Sequence, residues 1–180
     1  MHIVLVAAVA ENGVIGRGGG LPWRIKSDMQ RFRAMTWGKP VVVGRKTYLS
    51  FSRQPLPGRT NIIVSRSRDF TAPGAVIAPT LPAALEVARG DALRRSTDAI
   101  IVLGGADIYA QAMPLADRLE VTHIHARPDG DAVFPAIDPA QWRECARSTH
   151  AAGPEDDAGY DVVTYARIGA AVAVGDATAR

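Results

Sequence analysis

A carboxylate stands where a helix would normally carry an apolar side chain in the segment LPWRIKSDMQRF, residues 21–32. Read at helical spacing from Ile25, the inward positions are Ile25, Asp28, Met29 and Phe32. A carboxylate among apolar side chains is costly unless a partner compensates its charge. If Asp28 faces a pocket, a ligand with a cationic or amidine-like pair of N–H groups would be a suitable partner.

A structural explanation of Asp28 is also available, and the spacing alone favours it. An acid in the first turn complements the helix dipole, and Ser27 or Asp28 itself would be suitable as a capping residue. The neighbours argue the other way, because Met29 and Phe32 flank the acid and Trp23 precedes it. Both interpretations stay open at this point.

Glycine ends two apolar strands in a way that is typical of phosphate binding. VVVGRKT runs into Gly44, and IIVLGGADIY runs into Gly104 and Gly105 before a helix. Glycine lets a backbone approach a phosphate closely, and a helix N-terminus offers free N–H groups and partial positive charge. Neither segment has the GxGxxG or GxxxxGK spacing of phosphate-binding motifs. The alternative is that these glycines only allow close packing of the backbone and bind no ligand.

Two further basic positions lie at strand ends. In SRSRDF, Ser65 and Arg66 would receive a phosphate at the carboxyl edge of a sheet, where ligands of open α/β sheets bind. In PLPGRTN, Arg59 stands at the entry to an apolar strand and would take a carboxylate by a two-pronged hydrogen bond. A solvated polar turn and an ordinary surface arginine are the respective alternatives.

The histidines and the cysteine point away from metal chemistry. His123 and His125 share one face of a strand, but no further ligand has convincing spacing around them. His2 and His150 stand apart, and we predict structural or solvent-facing roles for all four histidines and no metal. The single cysteine, Cys145, excludes an internal disulfide and favours a reducing compartment.

Composition bounds the class of protein. Of 180 residues, 47% are hydrophobic and 22% charged, as in an ordinary globular domain. The net charge of +3 comes from basic residues that occur singly or in pairs, which favours a pocket for small anions over a nucleic-acid surface. The opening MHIVLVAAVA predicts a buried strand and not a signal peptide, and no apolar run is long enough to span a bilayer. We expect a cytoplasmic protein.

Apolar runs and helical patterns alternate along the chain. Strand-like runs lie at 3–10, 40–44, 60–65, 75–78, 99–104 and 119–126, and helical patterns at 26–36, 81–93 and 106–113. The predicted inner face of the second helix is Leu81, Leu85, Val87 and Ala88, and Pro114 should end the third.

These elements predict an α/β fold with a central, mostly parallel sheet and helices on both faces. Residues 141–150 and 160–168 predict a C-terminal antiparallel hairpin that closes one edge of the sheet. We expect one domain over residues 1–168 and a flexible Ala/Gly-rich tail over residues 169–180.

The joint order and spacing of these motifs resembles dihydrofolate reductase of the monomeric, chromosomal bacterial type, over about residues 2–168. The motifs are Ala7-Ala8, Val14-Ile15-Gly16, Leu21-Pro22-Trp23, Asp28 with Phe32, Gly44 to Thr47, Pro55 to Arg59, Leu103 to Ala106 with Tyr109, and Thr122-His123-Ile124. The resemblance implies a dihydrofolate-reductase-like fold. It also implies NADPH-dependent reduction of 7,8-dihydrofolate to 5,6,7,8-tetrahydrofolate, which supplies one-carbon and thymidylate metabolism.

The resemblance implies roles for the residues around Asp28. Asp28 would bind the 2-amino group and ring N–H of the pterin as an electrostatic anchor, while water carries the proton to N5. Thr122 would bond to that carboxylate, Trp23 would hold a water, and Leu21 would complete the catalytic motif. The folate cleft would be lined by Val6, Ala8, Phe32, Phe51, Leu56 and Leu103, with Arg59 on the glutamate α-carboxylate.

The resemblance also implies a cofactor site along the carboxyl edge of the sheet. Phosphate-binding positions would be Gly44, Arg45, Lys46, Thr47, Ser65 and Arg66, whose charges favour NADPH over NADH. Gly104, Gly105, Ala106, Asp107 and Ile108 would approach the pyrophosphate, in a family where the Gly-Gly bond is typically cis. The nicotinamide end would contact Ala7, Ile15, Gly16, Leu103 and Tyr109.

Three departures from the family pattern bear on these expectations. Ala106 replaces the third glycine of its motif, and Asp107 places an acid near the pyrophosphate. Gly18, Gly19 and Gly20 precede Trp23, and this run predicts a mobile lid over the nicotinamide whose closure matters for turnover.

Other functions remain to be distinguished from this one. A reductase of the same fold that acts on the ribosylaminopyrimidine of riboflavin synthesis would not need both Asp28 and Arg59. A regulatory module would bind NADPH without turnover. The expected partners are dihydrofolate and antifolate inhibitors, with no nucleic acid, no membrane, no fused thymidylate synthase and a monomeric state.

Overall fold

An eight-stranded sheet forms the centre of the structure, a computed structural model that describes residues 1–169. The strands, in chain order, are β1 (His2–Ala10), β2 (Val14–Gly16), β3 (Pro40–Gly44), β4 (Thr60–Val64), β5 (Val76–Ala78), β6 (Ala99–Val102), β7 (Arg118–Ile124), β8 (Ala132–Val133), β9 (Trp142–His150) and β10 (Tyr160–Arg167). Their order in the main sheet is β5-β4-β3-β6-β1-β7-β10-β9. The predicted mostly parallel sheet is confirmed.

The C-terminal hairpin closes one edge of this sheet, as predicted. β10 pairs antiparallel with both β7 and β9, whereas β1 is parallel to β6 on one side and to β7 on the other. Because the parallel strands β3, β6 and β1 run side by side, their carboxyl ends meet at one edge of the sheet.

Within residues 1–169, four α-helices cover the two faces of the sheet. They are α1 (Lys26–Thr36), α2 (Arg45–Ser50), α3 (Leu81–Arg94) and α4 (Ala106–Ala112). The hydroxyl of Thr80 caps α3 by accepting a hydrogen bond from the Ala83 amide. The helices predicted at 26–36 and 81–93 are therefore confirmed to within a residue.

The core is divided between the two faces because side chains alternate along β1. Leu5 and its odd-numbered neighbours pack with α3 and α4, in a cluster that includes Leu81 and Ile108. Val4 and Val6 point the other way and pack with Val43 and residues of α1 and α2. This burial on both sides explains why the central strands are almost entirely apolar.

The predicted inner faces of two helices each contain one error. Val87 was expected in the core, but 38% of its surface is exposed, because the inward positions of α3 are Leu81, Ala84, Leu85, Ala88 and Ala92. Met29 was expected beside Asp28 on the inner face of α1, yet it is 49% exposed. One residue beyond Asp28 is about 100° around the helix, which turns Met29 towards solvent.

The ends of two helices also differ from expectation. Neither Ser27 nor Asp28 caps α1: the cap position is Ile25, and the carboxylate of Asp156 accepts the backbone N–H of Ser27 at 3.1 Å. The helix predicted at 106–113 ends at Ala112, and a 3₁₀ turn, Met113–Leu115, carries the chain through Pro114. Proline is tolerated there because the first turn of a helix does not use its backbone N–H.

Two short strands, β2 and β8, form a second and smaller sheet. The small β2–β8 sheet was not predicted, since strands of two and three residues carry too little pattern. Within residues 1–169, no helix is long and apolar enough to cross a membrane. The predicted tail, apart from Gly169, lies outside the described residues.

Candidate active site

Asp28 lies on the buried face of α1, where strand β7 supplies its partner. Only 8% of its surface is exposed, and the hydroxyl of Thr122 donates a 2.7 Å hydrogen bond to its Oδ1. Thr122 pairs with Ala8 between β7 and β1, so the carboxylate lies beside the two strands at the centre of the sheet. Because Ile25 holds the cap position of α1, Asp28 is not the helix cap, and its carboxylate is instead buried against β7.

Arg31 also reaches Asp28, and sequence reasoning missed it. Its Nε donates to Asp28 Oδ1 at 3.1 Å, and its Nη2 donates to the hydroxyl oxygen of Thr122 at 2.7 Å. Acid and base three residues apart on a helix are neighbours, so the spacing itself was a usable signal.

The apolar side chains predicted for the folate cleft are divided between two clusters. Val6 and Leu103 are buried in one cluster, and Phe32, Phe51 and Leu56 pack against it. Ala8 and Trp23 pack instead against the cluster of Ile25, Ile124 and Tyr160. Leu21, predicted as part of the catalytic motif, precedes α1 in the chain, and 53% of its surface is exposed.

Arg59 is buried beside Phe32, one of the side chains that pack against the cluster of Val6 and Leu103. Its Nε donates to the Pro57 carbonyl and its Nη1 to the Thr36 hydroxyl, both at 3.0 Å, while its guanidinium lies over the Phe32 ring. Burial lowers the pKa of Arg59, and the nearby charge of Arg33 lowers it further. A guanidinium fixed in this way keeps further N–H groups for a carboxylate.

The two predicted glycine turns meet at the carboxyl edge of the sheet. The Gly44 amide donates a 2.7 Å hydrogen bond to the Gly104 carbonyl, and the Gly104–Gly105 peptide bond is cis. A Cβ at Gly105 would lie 2.8 Å from Thr47 Oγ1, and one at Gly104, where φ is +82°, would collide with the Tyr109 ring. Only glycine allows the backbone to pass this close.

A cavity of about 980 Å³ opens beside these turns. The predicted cofactor residues that line it are Gly44, Arg45, Lys46, Thr47, Ser65, Arg66, Gly105, Ala106, Asp107 and Ile108. Three of these side chains are cations and one is an acid, so the surface suits a large polyanion such as a dinucleotide. Further lining residues that the sequence did not reveal include Gly19, Thr80 and Gln111.

Other predicted cofactor residues lie deeper in the fold. Tyr109 is buried, its hydroxyl donates a 2.6 Å hydrogen bond to the Val6 carbonyl, and desolvation raises its pKa. Ala7 and Ile15 pack in the core cluster on the α3 side, and Gly16 ends β2. Tyr109 therefore joins α4 to the backbone of β1 at Val6.

The glycine-rich loop before Trp23 is attached to the segment that precedes β8. The Gly18 amide donates a 3.0 Å hydrogen bond to the Asp131 carboxylate, and the Asp131 amide donates to the Gly16 carbonyl at the same distance. Asp131 was not among the predicted residues. Gly19 lines the large cavity, so this loop covers one side of it.

The histidines have ordinary partners. His123 shares a 2.9 Å hydrogen bond with the Tyr165 hydroxyl, and His125 lies 3.3 Å from the Asp161 carboxylate. Across residues 1–169, no three His, Cys, Asp or Glu side chains come together as a metal site.

Comparisons with known proteins point to one family. A family model for dihydrofolate reductase matches residues 2–167. A dihydrofolate reductase of Neisseria meningitidis serogroup A is 47% identical over 148 residues, 82% of this chain and 88% of that protein. A type 3 dihydrofolate reductase of Salmonella typhimurium is 42% identical over 93% of this chain and 99% of its own length. A solved structure of the Enterococcus faecalis dihydrofolate reductase, in complex with NADP(H) and RAB-propyl, superposes with a TM-score of 0.82 at 28% identity, covering 93% of this chain and 96% of that one.

Proposed function

The chain belongs to the dihydrofolate reductase family, and we propose that Asp28 anchors the pterin of dihydrofolate while NADPH lies along the carboxyl edge of the sheet. The enzyme reduces 7,8-dihydrofolate to 5,6,7,8-tetrahydrofolate with NADPH. The observation that carries the proposal is the Asp28 carboxylate, which is buried and hydrogen-bonded to Thr122 on strand β7.

Asp28 acts on the substrate through charge and hydrogen bonding. Its carboxylate accepts hydrogen bonds from the 2-amino group and ring N–H of the pterin, chiefly through Oδ2, because Oδ1 already accepts from Thr122 and Arg31. The negative charge raises the basicity of the ring, which favours protonation at N5. Asp28 serves as an anchor, and a water held near Trp23 delivers the proton.

NADPH supplies the hydride that reduces C6 of the pterin. The protein orients the two rings and excludes bulk water from the space between them. Val6, Phe32, Phe51, Leu56 and Leu103 form the apolar wall against which the pterin and its aromatic extension pack. Arg59 binds the α-carboxylate of the glutamate through the N–H groups that Pro57 and Thr36 do not use.

The cofactor site is supported by its donors and its shape. Arg45, Lys46 and Arg66 place three cations around the large cavity, and they bind the phosphates, including the one on the adenosine ribose. The close approach of Gly44 to Gly104, and the lack of room for a Cβ at Gly105, leave backbone N–H groups accessible to the pyrophosphate.

The state of the protein in the cell is part of the same proposal. We propose a monomer in the cytoplasm that binds dihydrofolate and antifolate inhibitors and does not act on nucleic acid. We also propose that residues 1–168 form the catalytic domain.

Oxidation of NADPH, followed by absorbance with dihydrofolate added, tests this proposal. The wild-type protein should oxidise NADPH only when dihydrofolate is present. Asp28→Asn keeps the size of the side chain and removes its charge, and kcat/KM should fall about hundredfold, as for loss of one preorganised electrostatic contact. Glu86→Gln on the exposed face of α3 is the matched control and should retain activity. Full activity of Asp28→Asn at neutral pH would refute the role of the carboxylate.

A further inference from the structure

Arg31 already satisfies the oxygen of Asp28 that points towards strand β7. Its Nε lies 3.1 Å from Asp28 Oδ1, its Nη2 lies 3.1 Å from the same oxygen, and Thr122 donates to it at 2.7 Å. The guanidinium also donates to Thr122 and lies 3.9 Å from the Met35 sulfur, so contacts hold it on both sides. The protein thus places a fixed cation against its own ligand-binding carboxylate.

This pairing changes the charge that a ligand meets. The side chains of Arg31 and Asp28 are only 25% and 11% exposed, so solvent screens the pair weakly. Asp28 alone would present one negative charge, but Asp28 with Arg31 presents a dipole with no net charge. A neutral ring still finds hydrogen-bond acceptors there, whereas a cationic ring also meets the repulsion of the guanidinium.

We propose that Arg31 determines the charge specificity of the pterin site, favouring neutral 2-amino heterocycles over protonated ones. This inference rests on the proposed role of Asp28 as the ligand anchor. The substrate ring is neutral when it binds, so Arg31 weakens its binding little, although Arg31 also offsets part of the effect of Asp28 on the basicity of N5. Compounds that bind a carboxylate as protonated diamino heterocycles lose affinity, because their charge lies within a few ångströms of Arg31.

Two small heterocycles of equal size separate charge from shape. Isocytosine carries the neutral 2-amino-4-oxo pattern, whereas 2,4-diaminopyrimidine takes up a proton when it binds a carboxylate. Their dissociation constants for the NADPH-loaded enzyme can be measured by NMR titration. The ratio of the two constants reports charge specificity and is insensitive to a general loss of fold.

Arg31→Met keeps the length and packing of the side chain and removes its charge. We expect 2,4-diaminopyrimidine to bind about tenfold more tightly to this variant, with isocytosine changed less than threefold. Arg31→Lys keeps the charge and should retain the wild-type ratio. Arg89→Met, on the exposed face of α3, makes the same change in net charge at a distance and should also retain it.

The outcomes distinguish this inference from the function on which it rests. If Asp28→Asn weakens both heterocycles but Arg31→Met leaves their ratio within twofold of wild type, the Arg31 proposal is wrong and the anchor role stands. If Arg31→Lys loses the wild-type ratio as Arg31→Met does, the guanidinium geometry and not its charge sets specificity, which also overturns the proposal. If Asp28→Asn affects neither ligand, the proposed function of Asp28 fails first.

Discussion

The hydroxyl of Thr122 donates a 2.7 Å hydrogen bond to the carboxylate of Asp28 across 94 positions of sequence. The contact joins the first helix to a strand in the second half of the chain, and it forms because β7 lies directly beside β1. The carboxylate and its donor therefore come from two segments far apart in sequence, and neither segment reveals the pair on its own. The same hydroxyl accepts from Arg31, so three side chains form one connected network.

Removing the Thr122 hydroxyl should weaken the anchor without removing its charge. Thr122→Val keeps the shape of the side chain but leaves Asp28 Oδ1 without its closest donor. We expect kcat/KM for dihydrofolate to fall about tenfold, which corresponds to a hydrogen bond to a charged group of about 1.5 kcal/mol. Thr122→Ser restores the hydroxyl and should recover most of the loss. Wild-type kinetics in a folded Thr122→Val would contradict this account.

Arg59 should be needed for the glutamate of the substrate and not for its pterin. In Arg59→Lys the charge remains, but a single ammonium replaces the planar fork that contacts Pro57 and Thr36 and that we propose for the ligand. We expect KM for dihydrofolate to rise about tenfold, as one charge-assisted hydrogen bond is lost. KM for dihydropteroate, which lacks the glutamate, should change less than twofold. A similar change for both substrates would place Arg59 elsewhere in the mechanism.

Sequence patterns predicted the parts of the fold in which each residue's neighbours are local. The apolar strands and the amphipathic face of α3 fall within a residue or two of their expected positions, because periodicity reflects burial directly. Val87 and Met29 were placed wrongly because an apolar side chain need not be buried, and solvent accepts one at little cost. Strand β8 has only two residues, which is too short to show a hydrophobic period.

The candidate site was predictable only as far as its residue types and the family resemblance allowed. Asp28 stood out as an acid on an apolar face, but its pairing with Thr122 depends on strand order, which no local pattern encodes. The helix cap failed for a similar reason, since Asp156, 129 positions away, supplies the acceptor expected from Ser27 or Asp28. Long-range contacts of this kind are properties of the folded chain.

Gly105 should be required for cofactor binding because a side chain has no room there. In Gly105→Ala the new Cβ would lie 2.8 Å from Thr47 Oγ1, and relief of that contact moves the turn that faces the cavity. We expect the dissociation constant for NADPH, measured by fluorescence titration, to rise about tenfold, equal to about 1.4 kcal/mol.

Gly90→Ala is the matched control for that substitution. Gly90 lies inside α3 with nothing within 4 Å of a new Cβ, so alanine should stabilise the protein by about 0.5–1 kcal/mol and leave NADPH binding unchanged. Urea unfolding measures the first effect. Unchanged NADPH affinity in Gly105→Ala would show that the close packing at this turn is unrelated to the cofactor.

His123 should make stability depend on pH below neutrality. Desolvation lowers the pKa of His123 from its ordinary value of 6.5, and the charges of Arg147 and His125 act in the same direction against Asp161 and Glu144. Below about pH 6.5 the unfolded chain therefore binds more protons than the folded one, so stability falls as pH falls through this window.

The variant His123→Gln can keep a hydrogen bond to Tyr165 but cannot titrate. In urea unfolding at pH 7.5 and 5.5, the wild-type protein should lose more stability than His123→Gln between the two values. An equal loss in both proteins would assign the pH dependence to other groups.

The glycine-rich loop should govern how long NADPH stays bound. Gly18 and Gly19 have φ of +57° and +86°, a region that side chains rarely adopt, and Gly18 donates to Asp131. Gly19→Ala strains this conformation, so the loop becomes less stable in its position beside the cavity. NADPH release, measured by stopped flow, should therefore become several-fold faster. Gly20→Ala is the matched control, since Gly20 lacks a positive φ and its new Cβ would meet only the Arg17 carbonyl at 3.9 Å. If Gly19→Ala and a variant with alanine at Gly18, Gly19 and Gly20 both release NADPH at the wild-type rate, the loop does not act as a lid.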